Sequence, residues 1–96
     1  VGDSAGWTGI GHVNYHKCAV SMKFHVGDTI FFEYNKQHQN VMRVKHQQFD
    51  SCNTTSPITI YTSSYDKITL NRSGHYYFIC GFPQHCDNGQ KVNIKV

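Results

Sequence analysis

The 96-residue sequence is poor in several things that would have pointed elsewhere. It has two prolines and no repeat, low-complexity tract or Pro/Gly/Ser linker, so nothing marks a boundary and residues 1–96 are expected to form one domain. No apolar run approaches the roughly 20 residues of a membrane-spanning helix. Charged residues amount to 16% against 39% hydrophobic and 14% aromatic, which is not the balance of a disordered chain. The nine lysines and arginines outnumber the six acids but never cluster along the chain, so the net charge of +3 does not make a nucleic-acid patch. Helical periodicity is weak throughout, and the CxxC pairs usual for structural zinc are missing. The chain opens on Val1-Gly2-Asp3 without the charged and apolar regions of a signal peptide; any such peptide is expected to have been removed.

What is present is a series of short extended runs. Thr29 to Tyr34 is aromatic and β-branched, begins after Gly27-Asp28 and reads as a strand. Gln39 to Lys45 alternates, with Val41, Arg43 and Lys45 on one face and Asn40, Met42 and Val44 on the other, the pattern of a half-buried strand. Pro57 to Tyr61, Lys67 to Leu70, His75 to Cys80 and Gln90 to Val96 add four more, the last turning Val92, Ile94 and Val96 inward. The spacing is that of an all-β sandwich. His16 to Met22 and Gln47 to Ser51 are candidates for one or two short helices, flanked by Tyr15 and Phe24 as core contacts. Trp7, Phe31 and Tyr77 read as core residues.

Four cysteines and seven histidines are a high density of soft and imidazole donors for this length. Cysteines in a short chain point to an oxidising, extracellular compartment, with three pairings open if all are bridged. The triplets Asn53-Thr54-Thr55 and Asn71-Arg72-Ser73 are N-glycosylation acceptors that agree with it. The chemistry concentrates in Tyr77 to Gln90. A strand ends in Cys80, a Gly/Pro loop returns His85 after four intervening residues, and Gln90 stands five residues further on. A thiolate, an imidazole and a weak amide-oxygen donor can converge there on one ion, the donor set of blue copper. Two other readings of this stretch are weaker. A nucleophilic Cys80/His85 pair lacks an orienting acid, and zinc on Cys80, His85 and Cys86 lacks the usual pairs. No enzymatic activity is expected.

Val1-Gly2-Asp3 with Gly6-Trp7, Phe24 to Asp28, Phe49 to Asn53, Tyr77 to Cys80 and His85 to Lys91 stand in an order that resembles the phytocyanins, the plant branch of the cupredoxins, over essentially the whole chain. The resemblance implies a Greek-key sandwich of two sheets, a disulfide joining Cys52 to Cys86, and one copper ion cycling between Cu(I) and Cu(II). It further implies Cys80 as equatorial thiolate, His85 as the imidazole at the solvent edge and Gln90 as axial amide, as in stellacyanin-like members. Cys18 stands where the family usually carries Trp and reads as a core filler. His12, His16, His25, His46 and His75 read as surface or edge residues without a part in the site.

The sequence departs from the family at one decisive place. Phytocyanins carry their first His directly before Asn-Val, and here Gln39 occupies that position, with His38 one residue early. Side chains alternate faces along a strand, so such a displacement turns a group away from the site unless the loop shifts. Gln39 and, alternatively, His38 are therefore the candidates for the remaining ligand. The leading expectation is a type 1 copper protein, a monomer, that carries single electrons outside the plant cell. Its small or protein redox partner would dock near Phe82 and Pro83, and the resemblance implies a lipid (GPI) anchor beyond Val96 that would hold the chain at the membrane's outer face. The competing expectation is an early-nodulin-like relative with weak or no copper binding, acting through cell-wall or glycan contacts.

Overall fold

A computed structural model describes residues 6–8, 15, 19 and 22–96. Six strands occur among them: β1 (Thr29–Glu33), β2 (Val41–Val44), β3 (Thr59–Tyr61), β4 (Tyr65–Thr69), β5 (His75–Ile79) and β6 (Lys91–Lys95), with one short helix, α1 (His46–Ser51), after β2. Tyr15 and Ala19 are also helical. The expectations for Val1 to Asp3, His12, His16 and Cys18 fall outside the described residues.

The strands form two antiparallel sheets, β1-β4 and β3-β2-β5-β6, so the chain crosses between sheets after β1, after β3 and after β4. The predicted two-sheet β-sandwich is the fold observed. In β1 and β4, alternate residues point inward: Ile30 and Phe32 on one strand, Asp66 and Ile68 on the other, paired Ile30 to Ile68 and Phe32 to Asp66. Ile30, Phe32 and Ile68 meet Val41, Tyr76, Phe78, Val92 and Ile94 of the larger sheet in one core cluster that also holds Trp7, Tyr15 and Leu70. Trp7 meets Phe32 edge-on with ring centroids 4.9 Å apart, and Phe32 meets Phe78 at 5.1 Å. Such aromatic pairs each add about 0.5–1.5 kcal/mol to their area burial. Asp66, the one buried acid among the described residues, bonds Tyr34 Oη and Ser63 Oγ.

The segment bearing Trp7 is tied to the end of β1 by its N–H, which donates to the Glu33 carbonyl at 2.8 Å. Gly6 precedes it with φ 70°, and a Cβ there would lie 2.7 Å from that same carbonyl oxygen, so close approach and left-handed backbone both require glycine.

Three expectations are corrected. Strand β2 is not half-buried: Val41, Met42 and Val44 are all buried and only Arg43 is partly open. It lies between β3 and β5, and its outer face is covered by a second cluster of Met42, Val44, Ile79 and Cys86 with Phe49, Cys52 and Tyr77 packed on it. Phe31 is not core, because it alternates outward from Ile30 and Phe32 and pairs with the Tyr65 ring at 5.8 Å. Tyr77 also faces outward, stacked between His46 at 5.0 Å and His75 at 5.8 Å.

Candidate metal centre

Strand β5 ends at Ile79, and Cys80 follows it as a fully buried free thiol. Its N–H donates to the Gln90 carbonyl at 3.1 Å, which closes the intervening residues into a loop. Within the loop, His85 N–H donates to the Phe82 carbonyl at 3.2 Å and Gln90 N–H donates to the His85 carbonyl at 3.0 Å. These bonds bring Cys80 and His85 together. Cys80 Sγ and His85 Nδ1 lie 3.4 Å apart, and the His85 ring stacks on Phe82 with centroids 5.9 Å apart.

The loop is anchored from outside as well. Cys86, next to His85, is bonded to Cys52 at the end of α1, with Cα atoms 5.7 Å apart, and this is the disulfide that the resemblance implied. It leaves Cys86 without a thiolate for zinc. Lys91 adds a further tie, its Nζ donating to the Phe49 carbonyl at 3.2 Å.

Gln90 is only 1% exposed, and neither its side-chain oxygen nor its nitrogen has a hydrogen-bond partner. An unsatisfied buried amide costs about 1–3 kcal/mol, so a group normally retained in this state has a partner supplied from elsewhere. Gln39 is buried as well, at 5% exposure, whereas His38 lies exposed in the turn before β2. The displacement by one residue has the consequence expected of it: the amide goes inward and the imidazole outward.

Asn40 is the residue that reading the sequence missed. Its Oδ1 accepts the Gly81 N–H at 2.6 Å, its carbonyl accepts the indole N–H of Trp7 at 2.8 Å, and its backbone N–H points at Cys80 Sγ. One side chain and one peptide thus fasten the start of β2 to the Cys80 loop and to the core tryptophan. Its place beside position 39 was the available signal, but nothing in an asparagine's identity announces a clamp. Burial raises the Cys80 thiol above its usual range, while the N–H groups of Asn40 and Phe82 aimed at the sulfur favour the thiolate and pull the other way. The sulfur is thus held in a dry site with two donors directed at it.

Among the described residues no three His, Cys, Asp or Glu side chains converge, so a further donor would come from another residue type. Copper fits this set. A buried sulfur and an imidazole face each other, and the backbone joins both to a buried amide with no partner of its own. The acceptor asparagines Asn53 and Asn71 are both exposed. Pro83 is exposed and Phe82 half-buried beside the loop.

A family model described as a plastocyanin-like domain matches residues 7–90. Stellacyanin of Toxicodendron vernicifluum is 46% identical over 99 residues, spanning 100% of this chain and 92% of its own length. Early nodulin-like protein 14 of Arabidopsis thaliana is 40% identical over 83 residues, covering 86% of this chain but 46% of its own, so the match spans about half of that relative. The solved structure of cucumber basic protein, described as a blue copper protein, superposes with a TM-score of 0.88 at 38% identity and covers 100% of this chain and 95% of its own. The chain therefore belongs to the plastocyanin-like family, among the phytocyanins.

Proposed function

We propose that this phytocyanin binds one copper ion and carries single electrons outside the plant cell. The observation that carries the reading is the buried, unpartnered amide of Gln90, joined through the backbone to a thiol and an imidazole 3.4 Å apart. Cys80, His85 and Gln90 would hold the ion, with Gln39 as the fourth donor where the family has histidine. Copper bound there supplies a Cu(I)/Cu(II) couple. The chain's own residues supply the rest. Asn40 and Phe82 direct N–H groups at the sulfur, Asn40 Oδ1 fixes Gly81, and the Cys52–Cys86 bond holds the far side of the loop. Ligands held this firmly move little between oxidation states, which keeps the cost of electron exchange low. No substrate is transformed.

The partner surface in this reading is the exposed loop around Phe82 and Pro83, and the protein acts as a monomer. The disulfide and the two exposed acceptor triplets support a secreted, glycosylated chain. One observation favours a second reading, that of an early-nodulin-like contact module with little copper: an amide, not an imidazole, is buried at position 39. Addition of Cu(II) to the metal-free protein separates the two. The carrier reading expects one copper per chain by elemental analysis and an intense visible thiolate-to-copper band that Cys80→Ser abolishes. Neither band nor bound metal would leave the contact module.

A further inference from the structure

At the end of β5 remote from Cys80 lies a polar hollow of about 330 Å³ lined by Arg43, Asn71, Arg72, Ser73, His75 and Tyr76. Its frame is rigid. The Tyr76 hydroxyl donates to the Arg72 carbonyl at 3.0 Å and accepts the Arg72 N–H at 3.0 Å, pinning the turn between β4 and β5 from both sides. Arg43 arrives from β2 and lays its guanidinium 4.7 Å from the centre of the Tyr76 ring. His75 Nδ1 is engaged with Asn93 Oδ1 at 3.0 Å, and Lys95 stands opposite His75 in the β5-β6 ladder.

Among the described residues no carboxylate lines this hollow, and neither Arg43 nor Arg72 takes part in an ion pair. Unpaired arginines are ordinary on open surface, where water solvates them. Two of them converging on one concave site, Arg43 from strand β2 and Arg72 from the turn between β4 and β5, with hydroxyl, amide and imidazole groups around them, is an arrangement for a counter-ion. A guanidinium offers a planar fork of donors that matches the oxygens of a carboxylate or phosphate, and such charge-assisted bonds are stronger than neutral ones. The cation–π contact holds Arg43 in place without using up those donors.

We propose that the hollow is a binding site for an oxyanion, a phosphate or carboxylate group on a small ligand, held by Arg43 and Arg72 with Ser73 at the rim. The site is separate from the Cys80 loop, and the proposal stands whether or not copper is bound.

The test is a titration of the isotope-labelled full chain, without glycan on Asn71, with inorganic phosphate and separately with glucuronate at low ionic strength, followed by backbone NMR. Saturable shifts confined to residues 71–76 and Arg43 are expected with at least one probe, and which probe gives them identifies phosphate or carboxylate as the source. R43Q and R72Q should each weaken binding by about tenfold or more, the scale of losing one charge-assisted hydrogen bond, while K67Q on the exposed face of β4 should leave it unchanged. Arg72 lies on an exposed turn, so R72Q carries the test if R43Q disturbs the sheet. The proposal is overturned if neither probe saturates, or if R72Q binds as tightly as K67Q.

Discussion

Gly81, directly after the buried thiol, has no room for a side chain. A Cβ there would lie 2.3 Å from Met42 Cε, 2.7 Å from Met42 Sδ and 3.1 Å from Asn40 Oδ1. The first two contacts are below any real separation and fall on the mobile end of a methionine, while the third presses on the acceptor that holds the Gly81 N–H. Gly81→Ala should therefore overpack the site, at a cost of about 1–3 kcal/mol, which for a domain of this size lowers Tm by roughly 4–8 °C per kcal/mol. Met42→Ala alone removes a buried side chain and should cost about 2–5 kcal/mol. In the double variant the new methyl occupies space that Met42 has left. The two costs should then fail to add, with an interaction of about 0.5–3 kcal/mol in the favourable direction. Urea unfolding of the wild type, both single variants and the double variant, with slopes compared to confirm a common two-state transition, measures that interaction. Strict additivity would refute the claim that Met42 sets the room available to the Cys80 loop.

Three further outcomes follow from the same geometry. Replacing Cys52 and Cys86 together by serine opens a closure spanning 34 residues, worth about 3.8 kcal/mol in the chain-entropy treatment, and the loss should appear in denaturant unfolding as a lower midpoint with little change in native secondary structure. Because burial raises the Cys80 thiol, metal-free protein carries the proton at neutral pH and copper must displace it. Apparent affinity should thus rise about tenfold per pH unit through the neutral range and level off only above the thiol's ordinary value near 8.5; a flat profile would mean that the sulfur is not a ligand. Gln39→His supplies an imidazole that favours Cu(II), so its potential should fall below that of the wild type, by about 59 mV for each tenfold change in relative affinity; a wild-type potential at or below that of the variant would contradict the assignment of position 39.

How legible the structure was depended on whether a residue acts through its type or through its neighbours. The alternation in β6 could be read directly, since Val92 and Ile94 face the core between the more open Lys91, Asn93 and Lys95. Strand β2 could not. Its outward residues Met42 and Val44 are covered by a helix and a disulfide brought there by tertiary structure, which no local pattern reports. Phe31 was misplaced for the opposite reason: an aromatic residue finds an aromatic partner across two exposed strands and needs no core. At the candidate centre, Cys80, His85 and Gln90 were visible because thiol, imidazole and amide carry their chemistry in their names. Asn40 was not, since it works through an amide oxygen, a carbonyl and a peptide N–H that any asparagine possesses. The arginine hollow was equally hidden, because residues 43 and 72 are far apart in sequence and meet only when β2 and the β4-β5 turn assemble around Tyr76.

The central claim, that Cys80 and its loop hold copper for one-electron exchange, is tested most directly by voltammetry of the copper-loaded protein. The account predicts a reversible one-electron wave that vanishes in Cys80→Ser. Copper-loaded protein with no such wave, or a wave that survives the loss of Cys80, would contradict it.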